Sequence, residues 1–268
     1  MEAKLQPARA IRRAAVVTHG RPETIGDALA RLERVAADAG VGLEGADCAD
    51  PDVIVVLGGD GTMLRALRSC LASPAPVFGD KFGRVGYLTS LPADELEAGI
   101  ARVFRGDFRV VELCTLAAEL GDGRHLAVND IVVTSSQPGR IVELGWEVGS
   151  EDLGRMPCDG MICATPTGST AYNLSNGGPV MMWGLEAMAI TFVAPHSLDA
   201  RPLVVPRGLD LRVMNLTADV DVSLLADGHP VGRLGPGDAT DIGLGAERSL
   251  LALLPEVTFF GRYHDVFV

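Results

Sequence analysis

Two rhythms of apolar residues divide this chain. In the first, short apolar runs alternate with stretches in which apolar residues return every three or four positions. Ala14 to Thr18 is a compact apolar run. From Pro22 to Ala39, Ile25, Leu29, Leu32, Val35 and Ala36 recur on the 3.6-residue period, with Pro22 suited to start a helix and Gly40 to stop it. Val53 to Leu57 is a second run, and Met63 to Leu71 returns to helical spacing. Pro76 to Gly79 reads as another short strand, and Pro92 to Phe104 as a helix with Leu96, Ile100 and Val103 inward. Strands alternating with helices predict a parallel sheet covered on both faces.

At Gly106 the rhythm changes to alternation. Phe108 to Leu120, His125 to Thr134, Arg140 to Gly149 and Gly160 to Ala164 read as strands, and Leu209 to Leu225 alternates apolar with polar positions. Glycine-rich turns at Gly121-Asp122-Gly123, Asp227-Gly228 and Gly235-Pro236-Gly237 punctuate them. The expected fold is therefore an α/β N-terminal domain with a parallel sheet, residues 1–105, plus a C-terminal all-β antiparallel domain, residues 106–249.

Composition narrows the function classes. The 268 residues are 47% hydrophobic and 22% charged, an ordinary globular balance, and the net charge is −12 without any block of lysines or arginines. That charge argues against non-specific nucleic-acid binding and against docking on an anionic membrane. The five cysteines are odd in number and no pair has C-x-x-C spacing, so neither a disulfide framework nor a zinc site is indicated. The first ten residues lack the apolar core of a signal peptide, and the greasy stretch Pro179 to Pro195 is interrupted by Glu186. A cytoplasmic protein with free thiols is the expectation.

Three stretches carry chemistry. Val53 to Leu57 runs into Gly58-Gly59-Asp60-Gly61-Thr62, a strand, a glycine loop and a helix start, with Thr62 placed to cap the helix. Exposed amides at a helix N-terminus make an anion site. Asp60 repels phosphate there unless a metal bridges the two or the carboxylate handles a proton; taken alone, the tetrad also describes a tight turn. The second stretch, Thr165 to Pro179, sets five hydroxyl residues, Tyr172 and a Gly-Gly-Pro turn after a buried strand. These groups suit sugar hydroxyls, phosphate or an amide, although a helix cap and a turn would account for some of them. The third, Asn129-Asp130, places two polar side chains inside an apolar strand, where they need partners. A ribose with two hydroxyls would supply them, and so would a strand-edge turn or bulge.

Taken in order, Gly58 to Thr62, Gly83-Arg84-Val85-Gly86-Tyr87-Leu88-Thr89, Asn129-Asp130, Asp159-Gly160 with Thr165 to Pro179, and Pro195-His196-Ser197-Leu198 with Arg201-Pro202-Leu203 resemble the NAD kinase family. The Gly-Gly-Asp-Gly tetrad is shared with lipid kinases and phosphofructokinases, whereas the Thr-Pro-Thr-Gly-Ser-Thr-Ala-Tyr run is more specific. The resemblance implies transfer of the ATP γ-phosphoryl to the adenosine 2′-hydroxyl of NAD, with Mg²⁺ or another divalent cation accompanying ATP. It implies Asp60 as proton acceptor, with Gly58, Gly59, Gly61 and Thr62 at the nucleotide phosphates. Asn129 and Asp130 would hold the ribose hydroxyls, and Asp159 would lie against the nicotinamide half. Thr170, Ala171, Tyr172 and Ser175 would line the dinucleotide pocket, with Ala194 and His229 as further candidates. It also implies a homodimer or homotetramer, and a C-terminal segment, residues 250–268, that returns to the first domain.

Three positions depart from the family pattern: Asp130 for the usual glutamate, Asp80-Lys81 for an apolar residue and asparagine, and Cys158 for a small residue before Asp159. The absence of a Gly-Lys-Ser/Thr element excludes a P-loop enzyme, and the absence of a GxGxxG fingerprint argues against a dehydrogenase. A lipid or other small-molecule kinase with the same loop, and a non-catalytic dinucleotide sensor, are the alternatives.

Overall fold

The computed structural model describes residues 11–19, 22–71, 73–80, 87–88, 95–121 and 123–268. It divides into two compact units, one formed by residues 1–112 with 249–268 and the other by residues 113–248.

The first unit opens with β1 (Arg13–Thr18), α1 (Pro22–Ala39), β2 (Gly42–Glu44), β3 (Val53–Leu57), α2 (Asp60–Ser69), β4 (Val77–Asp80) and α3 (Leu96–Phe104). Its strands lie in the order β2-β1-β3-β4, all parallel. β3 is buried at all five positions, as expected of a strand covered on both faces. Leu32 of α1, Ile100 and Val103 of α3, and Phe78 of β4 pack with it into one apolar core. Of the helix expected over Pro92 to Phe104, residues 92–94 lie outside the described residues.

The second unit carries β5 (Arg109–Leu120), which starts in the first, then β6 (Gly123–Ala127), β7 (Asp130–Ser135), β8 (Val142–Val148), β9 (Glu151–Cys158) and β10 (Gly160–Ala164). A 3-10 turn (Gly168–Thr170) and the short helix α4 (Tyr172–Ser175) follow. The chain continues through β11 (Ala187–Val193), β12 (Leu203–Pro206), β13 (Leu211–Asn215), β14 (Val222–Ala226), β15 (His229–Leu234) and the long β16 (Ala239–Leu253). A six-stranded antiparallel sheet runs β12-β11-β10-β7-β14-β15. β9, β8, β13 and β16 pair antiparallel in the other layer. Side chains from both layers, such as Ile131, Met161, Leu144 and Leu211, share one core.

β16 and the chain end then complete the first unit. Leu251 pairs in parallel with Val77, Ala252 and Leu254 enter that unit's core, and Ser249 Oγ donates to the Leu67 carbonyl at 3.0 Å. The last helix is α5 (Phe259–Phe267), whose first free amides are capped by Thr258 Oγ1 accepting from Gly261 N–H at 3.0 Å. The architecture is thus α/β with a parallel sheet, followed by antiparallel β. No described helix is long and apolar enough to cross a membrane.

Two local expectations change. The run His125 to Thr134 is two strands, because the amides at its middle bond to a distant carboxylate, Asp227, instead of continuing a ladder. The helix expected from Met63 begins at Asp60, with Gly59 in the cap position and Thr62 inside the first turn. Thr62 is therefore no cap; its side chain packs over Gly58, where a Cβ would lie 2.6 Å from Thr62 Oγ1.

Candidate active site

Asp60 follows β3 across Gly58-Gly59 and starts α2, and its carboxylate is anchored rather than free. Oδ2 accepts the Tyr87 N–H at 2.7 Å and Oδ1 accepts the Leu88 N–H at 3.3 Å. As the first residue of α2, it also places negative charge where the helix dipole favours it. Two amides fix the plane of the carboxylate and leave lone pairs for one more donor. Among the described residues, Gly59 and Gly61 beside it meet nothing within 4 Å where a Cβ would stand, and neither has positive φ. No described residue requires glycine at these two positions. What glycine provides is clearance for a ligand at the helix start. Lys81, Gly83 to Gly86 and Thr89 of the neighbouring motif lie outside the described residues.

A second polar centre sits in the other unit, where β6 gives way to β7. Asp227 and Gly228 form the tight turn of the β14–β15 hairpin, with φ of 50° and 77°, as hairpin turns of the mirror-image kind require. The Asp227 carboxylate accepts the N–H groups of Val128 at 2.9 Å, Asn129 at 2.7 Å and Asp130 at 3.3 Å. Asn129 and Asp130 are thereby held by a residue about a hundred positions later. Asn129 Oδ1 is buried and accepts no hydrogen bond among the described residues, a state that a ligand hydroxyl would relieve. Asp130 is 7% exposed, and burial, reinforced by the Asp227 charge, pushes its carboxyl up to about 7.

The hydroxyl-rich run after β10 splits into two sets. Thr165 Oγ1 donates to the Val128 carbonyl at 2.6 Å, Ser169 Oγ donates to the Pro166 carbonyl at 2.7 Å, and Thr191 Oγ1 donates to Asn173 Oδ1 at 2.7 Å. Thr165, Thr167, Ser169 and Asn173 are buried, and the Thr165 and Ser169 hydroxyls and the Asn173 amide are taken up by protein groups. Gly168 is needed for close approach, since a Cβ there would stand 2.1 Å from the Asn129 carbonyl oxygen. That contact joins the run to the Asn129-Asp130 centre. Thr170 and Ala171 are half-buried, and Tyr172 and Ser175 are exposed, so these four keep a face open to a ligand.

The remaining candidates lie at strand ends. Asp159 is exposed between β9 and β10, and its N–H donates to the Val193 carbonyl at 3.0 Å, beside Ala194. Ala194 adopts φ of 43°, an uncommon conformation for alanine, directly after β11. His229 is exposed at the hairpin that carries Asp227. Cys158 is buried, and burial pushes its thiol up to about 12, which makes it inert.

Sequence reasoning missed Asp227, though a polar residue before glycine between alternating strands was a visible sign. It also missed Arg262 on α5, 8% exposed, whose charge interacts with Asp60, Asp265 and Tyr87 while burial lowers its pKa. No sequence signal marks that arginine.

Comparison with known proteins adds a family to this geometry. Residues 22–108 match the model of the ATP-NAD kinase N-terminal domain and residues 128–252 that of the ATP-NAD kinase C-terminal domain. The chain is 38% identical over 214 residues to the NAD kinase of Heliobacterium modesticaldum, spanning 78% of this chain and 76% of that one. It is 37% identical over 217 residues to the NAD kinase of Gemmatimonas aurantiaca, spanning 79% and 75%. Among solved structures, an NAD kinase from Archaeoglobus fulgidus in complex with ATP superimposes with a TM-score of 0.78 at 27% identity, covering 95% of this chain and 99% of that one. Yeast NADH kinase complexed with NADH shares the fold, with a TM-score of 0.84 at 21% identity over 96% of this chain and 88% of that one. The chain belongs to the NAD kinase family.

Proposed function

We propose that this protein transfers the γ-phosphoryl group of ATP to the adenosine 2′-hydroxyl of NAD, giving NADP and ADP, with Asp60 receiving the hydroxyl proton. The observation that carries the reading is the anchored Asp60 carboxylate at the start of α2, beside two glycines that no described residue crowds. An ordinary aspartate, with a pKa near ~3.9, cannot strip a sugar hydroxyl outright. Phosphoryl transfer does not demand it, because the transition state is loose and the proton leaves late. Asp60 orients the 2′-hydroxyl. As the bond from its oxygen to phosphorus forms and the bond to ADP breaks, the proton passes to the carboxylate.

Asn129 and Asp130 suit the acceptor ribose: the buried Asn129 Oδ1 takes one hydroxyl, and the Asp130 carboxyl takes another. Tyr172, 46% exposed, offers a stacking face for a base. Among the described residues no three His, Cys, Asp or Glu side chains gather as a metal site, so we write the divalent cation as part of the substrate, Mg-ATP. It supplies charge neutralisation at the transferring phosphate, and the amides of the cap Gly59 and of Gly61 in the first turn of α2 supply the rest.

We extend the reading to a cytoplasmic homo-oligomer. Light scattering on the purified chain tests the assembly, and the mass of a single chain would refute it. The activity is tested by incubating the pure protein with NAD and Mg-ATP and reading NADP with an NADP-specific dehydrogenase. Formation of NADP supports the proposal. NAD binding without NADP would leave a dinucleotide sensor, and phosphorylation of a lipid instead would leave the lipid-kinase alternative.

A further inference from the structure

The chain's last helix buries a side chain that a docking helix ordinarily keeps in water. α5 exposes Phe260, 66% accessible, and Val266 and Phe267 at 39%, yet Arg262 is buried. A helix that merely packs onto a domain turns an apolar stripe inward. A guanidinium removed from water is costly unless charge partners meet it. The partners are at hand: Asp60, Asp265 and the Tyr87 hydroxyl all act on the Arg262 charge.

The same helix grips Tyr87 with its rings. Tyr87 lies edge-on to Phe259, with centroids 5.9 Å apart and planes at 75°, and tilted against Phe267 at 6.0 Å. Tyr263 closes on Phe267 at 5.2 Å. Tyr87 is itself 7% exposed, and burial above all pushes its hydroxyl up to about 12, so the ring acts as a neutral wedge. The backbone of Tyr87 and of Leu88 donates the two N–H groups that fix Asp60.

We infer that α5 is a positioning element for Asp60, with the Tyr87 ring as the mechanical link and Arg262 as a buried charge that keeps the carboxylate in register. The aromatic contacts set where the Tyr87-Leu88 backbone lies, and that backbone sets the carboxylate plane. The buried guanidinium adds a favourable charge to the anchored carboxylate, and a rotation of Asp60 loses both amide bonds. Neither Tyr87 nor Arg262 need touch substrate. This inference rests on the reading that Asp60 receives the acceptor proton.

The test uses the full chain with NAD and Mg-ATP, and compares Arg262→Met, Arg262→Lys, Phe259→Leu, Phe267→Leu and Asp60→Asn. The first readout is kcat and KM for both substrates; the second is hydrogen exchange at the Tyr87 and Leu88 amides, followed by mass spectrometry. Arg262→Met is expected to lower kcat about tenfold or more while both KM values stay within about twofold, and Arg262→Lys to recover most of the loss. Phe259→Leu and Phe267→Leu are expected to speed exchange at the two amides and to lower kcat in step. If Arg262→Met does not fold, the two phenylalanine variants decide by the same readouts. Unchanged kcat in the folded variants, or unchanged exchange at Tyr87 and Leu88, overturns the inference. Full turnover by Asp60→Asn instead overturns the reading beneath it, which keeps the two failures apart.

Discussion

Asp130 is 7% exposed and has Asp227 as its charged neighbour, so burial first and the Asp227 charge second push its carboxyl up to about 7 from the ordinary 3.8. Between those two values the folded chain holds a proton that the unfolded chain releases. The stability this provides is full below the lower value and is lost as pH rises through about 7. The change is on the order of 4 kcal/mol, the shift multiplied by the free energy of one pKa unit. Urea unfolding of the parent and of Asp130→Asn from pH 4 to 8 is expected to show the parent losing stability relative to the variant by that order. Parallel curves would refute it. An ionised carboxylate accepts a ribose hydroxyl more strongly than a neutral acid does, so NAD favours the ionised form. KM for NAD is therefore expected to fall about tenfold from pH 6 to pH 8 in the parent, and the fall should flatten in Asp130→Asn. Asp60 makes the complementary case: Asp60→Asn keeps its shape but cannot collect a proton. Its kcat is expected to drop about 10²- to 10⁴-fold with KM for NAD little changed.

At the scale of elements, the glycines separate what the fold needs from what a ligand needs. Gly61→Ala meets no described residue inside the first turn of α2, and alanine favours a helix by up to about 1 kcal/mol over glycine. A melting temperature equal to or above the parent's, with KM for ATP raised, is the expected outcome; a destabilised variant would contradict it. Gly168→Ala drives a Cβ against the Asn129 carbonyl, and backbone on backbone cannot yield cheaply. It is expected to lose about 1–3 kcal/mol and to weaken NAD binding through the displaced Asn129. The elements legible in the sequence were those with local signals. The period and stops of α1 over Pro22 to Ala39, and the apolar runs of β3 and β10, give their bounds directly. The break between β6 and β7 was not legible, because Asp227 causes it from far along the chain. Nor was the role of Thr165 and Ser169, whose hydroxyls read as ligand groups yet donate to backbone carbonyls, of Val128 and of Pro166. The start of α2 at Asp60 was hidden for the same reason: its anchors are amides of Tyr87 and Leu88, and its neighbouring charge comes from α5.

At the scale of the whole molecule, the chain is cut unevenly between its units, and the cut has consequences for folding. The second unit is one continuous stretch, residues 113–248, and its core draws only on that stretch, from Leu116 to Ile242. The first unit is discontinuous: Leu251 lies beside β4, and Ala252 and Leu254 fill the core under Leu32 and Phe78. Arg102 of α3 also pairs with both Asp107 and Glu256, tying the two pieces of that unit at the surface. Removal of residues 249–268 therefore opens the first core, leaves β4 without a parallel neighbour on one side and strips α5 from Tyr87. Residues 113–248 expressed alone are expected to melt cooperatively, because a separate apolar core is what two-state unfolding requires. Residues 1–112 alone are expected to show no cooperative transition, and joining 249–268 to them through a flexible linker is expected to restore one. Circular dichroism melts of the three fragments check this. A cooperative transition in residues 1–112 by themselves would show that β16 and α5 add nothing to the first unit's stability, and would leave α5 only its role at Asp60.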